Sequence, residues 1–205
     1  DSSACQRYLG LSEEMREATR AAAATEGFWL TLGGAPAQVM SHENCGGTTE
    51  AGVGELSHLT AVQDGERAVG SAPATPIELE RWTHEFPRRD RFCEVGSLTP
   101  PAQSRWMRLL DGNDLKERAA RIKPIGGIRH IRVARRSPTG RVQALEVIGG
   151  RGSFRLEADK AVADFLSPGS LRSTLFTIQP LRPGGKDGRF LVWGVGTGHG
   201  LGLCM

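Results

Sequence analysis

The segment Trp193-Gly194-Val195-Gly196-Thr197-Gly198-His199-Gly200-Leu201-Gly202-Leu203-Cys204 carries more structural information than any other part of the chain. Glycine is costly in a strand interior, because it loses the most backbone freedom on folding and adds no side chain to the packing. A run of glycines this dense predicts that the backbone approaches another group closely, or adopts dihedral angles that other residues avoid. His199 would then stand over the bare floor of a groove. The alternative is a plain glycine-rich loop with a solvated histidine.

Two further segments, which come earlier in the chain, belong with this C-terminal segment. They read Ser41-His42-Glu43-Asn44-Cys45-Gly46-Gly47-Thr48-Thr49-Glu50 and Leu171-Arg172-Ser173-Thr174-Leu175-Phe176-Thr177-Ile178. Together with the C-terminal glycines they resemble the SpoIID/LytB domain family, named for stage II sporulation protein D and for a modifier of a cell-wall amidase. Members of that family carry His-x-x-Cys-Gly-Gly-x-Thr-Glu, Leu-Arg-Ser-Thr-x-Phe and Gly-His-Gly-x-Gly-x-Cys in this order. The resemblance runs from about Cys5 to Cys204.

This resemblance implies a bacterial, extracytoplasmic protein that binds peptidoglycan glycan strands and cleaves them as a lytic transglycosylase. Such cleavage uses no water and needs one carboxyl group that acts first as acid and then as base. The alternative is a non-catalytic amidase enhancer, a module that holds glycan or a cell-wall amidase. A third class, a small metal-dependent hydrolase built on His42, Cys45 and His199, predicts zinc in the purified protein.

The catalytic glutamate of the family lies on an upstream helix, and no segment of this sequence matches that helix. Glu14 precedes a segment that resembles a later part of the family, so it is not assigned the catalytic role. Glu50 is a secondary candidate, with hydrogen bonding in the groove wall as its alternative. We therefore assign no catalytic residue, and we expect the chain to be an internal fragment that lacks the upstream helix.

The residues that we predict to bind glycan lie in or beside the three segments. They are His42, Gly46, Gly47, Thr49, Glu50, Ser173, Thr174, Trp193, Gly198, His199, Gly200 and Gly202. The hydroxyls of Ser173 and Thr174 have ordinary β-sheet hydrogen bonding as their alternative. Trp193, like Trp29, could stack on a sugar ring, although most strand tryptophans belong to a core.

His42 and Cys45 lie three residues apart, a spacing that lets an imidazole and a thiolate converge on one zinc ion. Some family members have a second histidine directly after the two glycines, where this chain has Thr48. His199 or Cys204 would replace that ligand if the two segments meet. The resemblance implies no required cofactor. The alternative to a zinc site is a disulfide at Cys45 with a hydrogen-bonded His42.

Composition limits the partners and the location. Lys and Arg total 26 against 23 for Asp and Glu, a net charge of +3 that gives no support for nucleic-acid binding. No stretch approaches the ~20 apolar residues that span a bilayer. The four cysteines, Cys5, Cys45, Cys93 and Cys204, contain no Cys-x-x-Cys pair, and three disulfide pairings are open. The extracytoplasmic context of the family favours at least one bridge.

The remaining pattern predicts an α+β fold, with antiparallel sheet dominant and a few short helices flanking a groove. We expect one domain over 1–205 with an irregular insertion at about 51–104. Helices are predicted over 11–25, 77–85, 114–122 and 159–166, and a strand over 153–157. Hairpins are predicted to pair 28–32 with 37–41, 128–135 with 142–148, and 171–181 with 189–193. Five arginines would form one solvated basic face, namely Arg129, Arg132, Arg135, Arg136 and Arg141.

Overall fold

The computed structural model describes residues 15–65, 76–84, 92–94, 104–167, 171–182 and 188–204. The chain divides into two compact units, 1–38 and 39–205. The described residues form an α+β fold with mostly antiparallel strands, as the sequence predicts.

The first unit contains helix α1 (Arg16–Ala24) and a small hairpin of β1 (Thr31–Leu32) and β2 (Ala35–Pro36). The hairpin turns at Gly33 and Gly34, which have φ of 58° and 84°. Positive φ at both central residues is the requirement of the tightest hairpin turn, and glycine meets it without strain. The turn is therefore where the sequence predicts it, although the second arm is Ala35–Pro36 rather than 37–41.

The second unit begins with the short strand β3 (Ser41–His42) and a helical turn at Gly54–Leu56. Helix α2 (Pro76–His84) and a second helical turn at Phe92–Glu94 follow. Strand β4 (Arg105–Leu110) then leads into helix α3 (Gly112–Ile122), whose first turn is capped by Asp111. The carboxylate of Asp111 accepts a hydrogen bond from the Asn113 amide at 2.8 Å.

The longest strands form a three-stranded antiparallel sheet in the order β5-β6-β7. Its members are β5 (Ile128–Arg136), β6 (Val142–Gly149) and β7 (Gly152–Glu157). The turn at residues 138–140 joins β5 to β6, as predicted. Helix α4 (Asp159–Leu166) follows, with the bounds that the sequence predicts.

A second antiparallel sheet has the order β4-β9-β8, with β8 (Phe176–Pro180) and β9 (Phe190–Val195). The predicted pairing of the last two long strands is confirmed, but residues 171–175 are not part of the strand. Strand β4 is missing from the sequence prediction, which left Trp106 unplaced. Its six residues pair with β9 along their whole length.

The core is built from side chains of both three-stranded sheets and of helices α3 and α4. Its fully buried members include Leu115, Leu145, Val162, Phe176 and Phe190. Burying side chains of this size is worth roughly 1.5–3 kcal/mol each. The core therefore fixes β6 and β9, the strands on whose ends the candidate site is built.

The final strand, β10 (Leu203–Cys204), pairs with β3 in parallel. Leu203 lies opposite Ser41, and Cys204 lies opposite His42. This pair joins the end of the described chain to the first of the three motif segments.

Candidate functional site

The three segments of the resemblance interlock through backbone hydrogen bonds. Asn44 and Thr197 exchange two bonds of 3.0 and 2.8 Å, which join the first segment to the C-terminal one. The amide of Gly198 donates to the carbonyl oxygen of Arg172 at 2.7 Å. The amide of Glu50 donates to the carbonyl oxygen of Gly200 at 2.8 Å. The first segment is more than a hundred residues from the other two in sequence, and all three are contiguous in the fold.

The glycines of the C-terminal segment make this approach possible. Gly196 has a φ of 72°, and a Cβ atom there would lie 2.7 Å from both the Asn44 carbonyl oxygen and the Gly46 amide nitrogen. Gly200 has a φ of 81° and would bring a Cβ atom into the guanidinium of Arg141. Both expectations for the glycine run, close approach and unusual dihedral angles, are confirmed.

A cluster of thiols and one imidazole lies where the first and last segments meet. The ligand atoms of His42, Cys45 and Cys204 all lie within 4.8 Å of one another. The Cys45 Sγ is 3.5 Å from the Cys93 Sγ, and Asp64 lies in the same neighbourhood. Cys45, Cys93 and Cys204 are free thiols, so none of the described cysteines forms the bridge that the sequence favours. Cys5 lies outside the described residues.

His42 is oriented as a metal ligand would be. Its Nδ1 lies 3.0 Å from the carbonyl oxygen of Leu201, which can only accept, so Nδ1 carries the proton. The Nε2 atom is then a bare acceptor, and the described residues provide it with no hydrogen-bond partner. The side chain is only 4% exposed. A carbonyl on one ring nitrogen is the usual means by which proteins aim the other nitrogen at a metal.

The sulfur atoms receive backbone hydrogen bonds. The Gly47 amide donates to the Cys45 Sγ at 3.3 Å, and the Cys45 amide donates to the Cys204 Sγ at 3.2 Å. Hydrogen bonds from the neighbouring thiols of Cys45 and Cys93 lower the pKa of Cys204 well below its usual value. The bond to Cys204 is the main reason that the pKa of Cys45 is raised to about 12. Hydrogen bonds with the thiols of Cys204 and Cys45, followed by burial, raise the pKa of Cys93.

These shifts favour the thiolate form at Cys204 and the thiol form at Cys45 and Cys93. A divalent metal would offset the repulsion among several thiolates and allow them all to ionise. The residues present therefore fit a soft metal with nitrogen and sulfur ligands.

Arg141 lies beneath this cluster and is 1% exposed. Its Nη2 donates to the Cys45 carbonyl oxygen at 2.9 Å, and its Nε is 3.9 Å from the Glu50 carboxylate. Burial lowers the pKa of Arg141, while the Glu50 charge opposes that shift. Arg141 is therefore a structural centre of the site and does not belong to a solvated basic face.

Glu50 is held in place by the turn between β5 and β6. Its Oε2 accepts hydrogen bonds from the hydroxyls of Ser137 at 2.6 Å and Thr139 at 2.5 Å. Both hydroxyls are buried. These bonds and the nearby Arg141 guanidinium hold the Glu50 carboxyl group as a hydrogen-bond acceptor within the site.

His199 is half-buried beside His42, with ring centroids 5.8 Å apart. Its Nδ1 accepts a hydrogen bond from the Leu201 amide at 3.0 Å. Burial, followed by the nearby His42 and Arg141, lowers the pKa of His199. The ring is therefore a neutral imidazole at pH 7, flanked by glycines on both sides.

The other predicted site residues have structural contacts. The Ser173 hydroxyl donates to the Val195 carbonyl oxygen at 2.6 Å, and Thr174 is buried beside it. The Thr49 hydroxyl accepts from the Val62 amide at 2.7 Å. The Trp193 ring packs on His84 at a centroid distance of 4.9 Å. The glycines Gly46, Gly47, Gly198, Gly200 and Gly202 all adopt positive φ in the turns around the cluster.

Several site residues were missed by the sequence analysis because their signal is not local. The indole nitrogen of Trp82 donates to the Gly46 carbonyl oxygen, and that of Trp106 to the Gly196 carbonyl oxygen, both at 3.0 Å. The Asn44 side chain donates to the Cys93 carbonyl oxygen at 2.8 Å. Trp82 and Trp106 lie outside any periodic apolar pattern, and Cys93 has no other cysteine or histidine close to it in sequence. Sequence spacing therefore could not predict these contacts.

Among the described residues, no helix is both long enough and apolar enough to cross a membrane. Residues 101–202, which are 102 of the 205 residues, match a family described as a domain of unknown function, DUF8618. That match contains the second segment and most of the third, and it leaves out His42, Cys45 and Cys93. No curated protein matches the chain. The chain is thus similar, over just under half its length, to a family whose description assigns no function.

Proposed function

We propose that this chain is a SpoIID/LytB-like module that binds peptidoglycan glycan strands. The observation that carries the proposal is the convergence of the three resembling segments, which touch at Asn44–Thr197, Arg172–Gly198 and Glu50–Gly200. The second and third segments meet through the pairing of β8 with β9, so the supporting contacts are those of the first segment, more than a hundred residues earlier, with Thr197 and Gly200. The proposal implies an extracytoplasmic location, with glycan strands as partner and a cell-wall amidase as the alternative partner.

The chemistry around His199 suits a neutral, hydroxyl-rich ligand. The half-buried neutral imidazole accepts from the Leu201 amide through Nδ1, and a sugar hydroxyl would contact the ring in competition with the Ser41 backbone, whose hydrogen bond raises the pKa of His199. The adjacent Gly198 and Gly200 have no side chains to keep a sugar ring away. Oriented polar groups of this kind fix the position of a ligand and provide specificity.

The contacts of Glu50 favour binding without cleavage. A transglycosylase acid needs a carboxyl group that is protonated before it reacts, and such groups lie in apolar surroundings that raise the pKa. Glu50 instead accepts two hydroxyl hydrogen bonds and lies beside a buried guanidinium. We therefore favour the non-catalytic module over the transglycosylase.

The test is sedimentation of the protein with glycan strands from which the stem peptides have been removed, followed by mass spectrometry of the strands. We expect strand-dependent sedimentation that His199→Ala weakens and that the exposed His130→Ala does not. Binding without anhydro-muramic ends supports the module. Anhydro ends that Glu50→Gln abolishes would restore the transglycosylase, and equal sedimentation with and without strands would overturn glycan binding.

We also propose that the cluster beside this surface holds a zinc ion. His42, Cys45 and Cys204, whose ligand atoms lie within 4.8 Å of one another, would be three ligands, and Cys93, with its Sγ 3.5 Å from the Cys45 Sγ, would be the fourth. The specific observation is the buried, unsatisfied Nε2 of His42. Four protein ligands leave no open position for a water molecule, which is typical of structural rather than catalytic zinc. When bound, zinc would supply cross-linking of the chain and protection of the thiols from oxidation.

Metal analysis of the protein purified without added chelator tests this proposal. We expect about one zinc per chain, and much less in Cys204→Ser. The proposal would be overturned if the purified protein contained no zinc and its unfolding curve did not change when zinc was added.

A further inference from the structure

A cavity of about 550 Å³ lies away from the thiol cluster, between strands β5 and β8. Each of these strands is the last of its sheet among the described strands. Helix α2 closes one side through Glu80. The cavity thus lies where the two sheets approach one another edge to edge, and its volume is that of a small-molecule site.

The cavity has a cationic rim. Arg132, Arg135 and Arg136, three arginines of β5, line it against the single carboxylate of Glu80. The Arg136 guanidinium donates to the carbonyl oxygens of Gly140 at 2.8 Å and Phe176 at 3.0 Å. Burial lowers the pKa of Arg136 to about 10, so this group keeps its charge at neutral pH.

The three arginines differ in whether their guanidinium groups already have partners. Arg135 forms a 3.0 Å ion pair with Glu157. Arg136 is held rigidly by the two carbonyl oxygens. Arg132 is exposed, and the described residues form no hydrogen bond or ion pair with its guanidinium. Arg132 is therefore the group that is best placed to meet an incoming anion.

The remaining lining is mixed. Ile131 and Ile178 supply apolar surface, and Thr177 and Gln179 supply a hydroxyl and an amide. Apolar surface with a few polar groups and a guanidinium suits a sugar ring that carries a carboxylate, because arginine binds carboxylates through two parallel hydrogen bonds.

We propose that this cavity is a second carbohydrate subsite that binds the lactyl carboxylate of a muramic acid residue through Arg132. The inference rests on the proposed glycan binding, and it deepens that proposal by naming the sugar that the chain distinguishes. N-acetylmuramic acid differs from N-acetylglucosamine by that lactyl group. Selectivity between the two sugars therefore reports on the lactyl group, and its loss in Arg132→Gln would report on the carboxylate.

The test is a titration of the full chain with each of the two sugars, followed by amide chemical shifts in nuclear magnetic resonance spectra. We expect shifts in β5 and β8 and tighter binding of N-acetylmuramic acid. Arg132→Gln should weaken binding of that sugar about tenfold, the loss expected for one charged hydrogen-bonded contact, and leave N-acetylglucosamine unaffected. Arg121→Gln, at an exposed arginine of α3 outside the cavity, should leave both affinities unchanged.

Equal affinity for the two sugars, or equal effects of the two arginine substitutions, would overturn the subsite. So would the absence of shifts with either sugar. Sedimentation with glycan strands separates this failure from that of the proposed function. Strand binding that persists in Arg132→Gln leaves the His199 surface as the glycan site, whereas no strand binding at all overturns both proposals.

Discussion

The buried guanidinium of Arg141 donates a 2.9 Å hydrogen bond to the carbonyl oxygen of Cys45. Arg141 lies directly after the β5–β6 turn, and Cys45 lies almost a hundred residues earlier in the sequence. The same guanidinium lies near Glu50 and against Gly200, so one side chain supports the first and the last motif segments at once. The geometry of the thiol cluster therefore depends on a residue that carries no ligand atom.

Chelation should destabilise the protein if zinc fills the cluster. Excess chelator is expected to lower the melting temperature by about 10 °C or more, since loss of a tightly bound ion costs several kcal/mol in a chain of this length. Added zinc should restore it. Differential scanning calorimetry measures the shift, and Cys204→Ser, which lacks a ligand, should respond much less than wild type.

Glu50→Gln should destabilise the fold while keeping the acceptor for Ser137 and Thr139, although the exposed bond from the Ala51 amide to the second carboxylate oxygen is lost. The amide oxygen can still accept from Ser137 and Thr139, but Arg141 loses the only negative side chain with which it forms an ion pair in the described structure. Removing one partner of a buried ion pair costs about 3–5 kcal/mol. Urea unfolding followed by circular dichroism measures this cost. Glu117→Gln, at an exposed position of α3, is the control, and equal midpoints for the two variants would contradict the prediction.

Gly196→Ala should be among the most damaging substitutions of a small residue. The positive φ and the 2.7 Å approach to Asn44 and Gly46 together are worth about 2–4 kcal/mol. Gly127→Ala is the matched control, because a Cβ atom there meets nothing within 4 Å. Thermal unfolding compares the two, and a Gly196→Ala protein as stable as Gly127→Ala would show that the glycine segment can move aside.

Ala158→Gly should stabilise the protein. Ala158 has a φ of 73°, and it is the only residue other than glycine in the described structure with positive φ. Strain of this kind costs about 1–3 kcal/mol, and Ala158→Gly would relieve it. The greater freedom of glycine in the unfolded chain offsets about 0.4–1 kcal/mol of that gain. The net gain is about 1 kcal/mol in the free energy of unfolding. Chemical denaturation would contradict the strain argument if Ala158→Gly proved less stable than wild type.

The predicted elements with strong local patterns are confirmed. Helix α4 and the β5–β6 hairpin follow from apolar periodicity and from the turn at 138–140. Strand β4 was missed because it follows an irregular, proline-containing stretch and its alternation is weak. It becomes a strand through pairing with β9, which lies some eighty residues later. Pairing at such a distance leaves no local trace in the sequence.

The candidate site divides in the same way. The glycine run and the His42–Cys45 spacing are local features, and they indicated close backbone approach and a metal. Cys93 and Arg141 had no such spacing. Ser173 was predicted to bind glycan, with ordinary sheet hydrogen bonding as the alternative, and its buried hydroxyl donates to the Val195 carbonyl oxygen. Cys204, named only as an alternative ligand, lies beside His42 because β3 and β10 pair in parallel.

The sequence alone determined the class of fold, the hairpins and the need for glycine between Gly196 and Gly202. These depend on side-chain periodicity and on backbone dihedral angles, which each residue type restricts by itself. The tertiary structure decided which thiols meet, which carboxylate Arg141 pairs with, and where the arginines of β5 face a cavity. Those contacts join residues some fifty to a hundred and sixty positions apart, and only packing of the two sheets sets their distances.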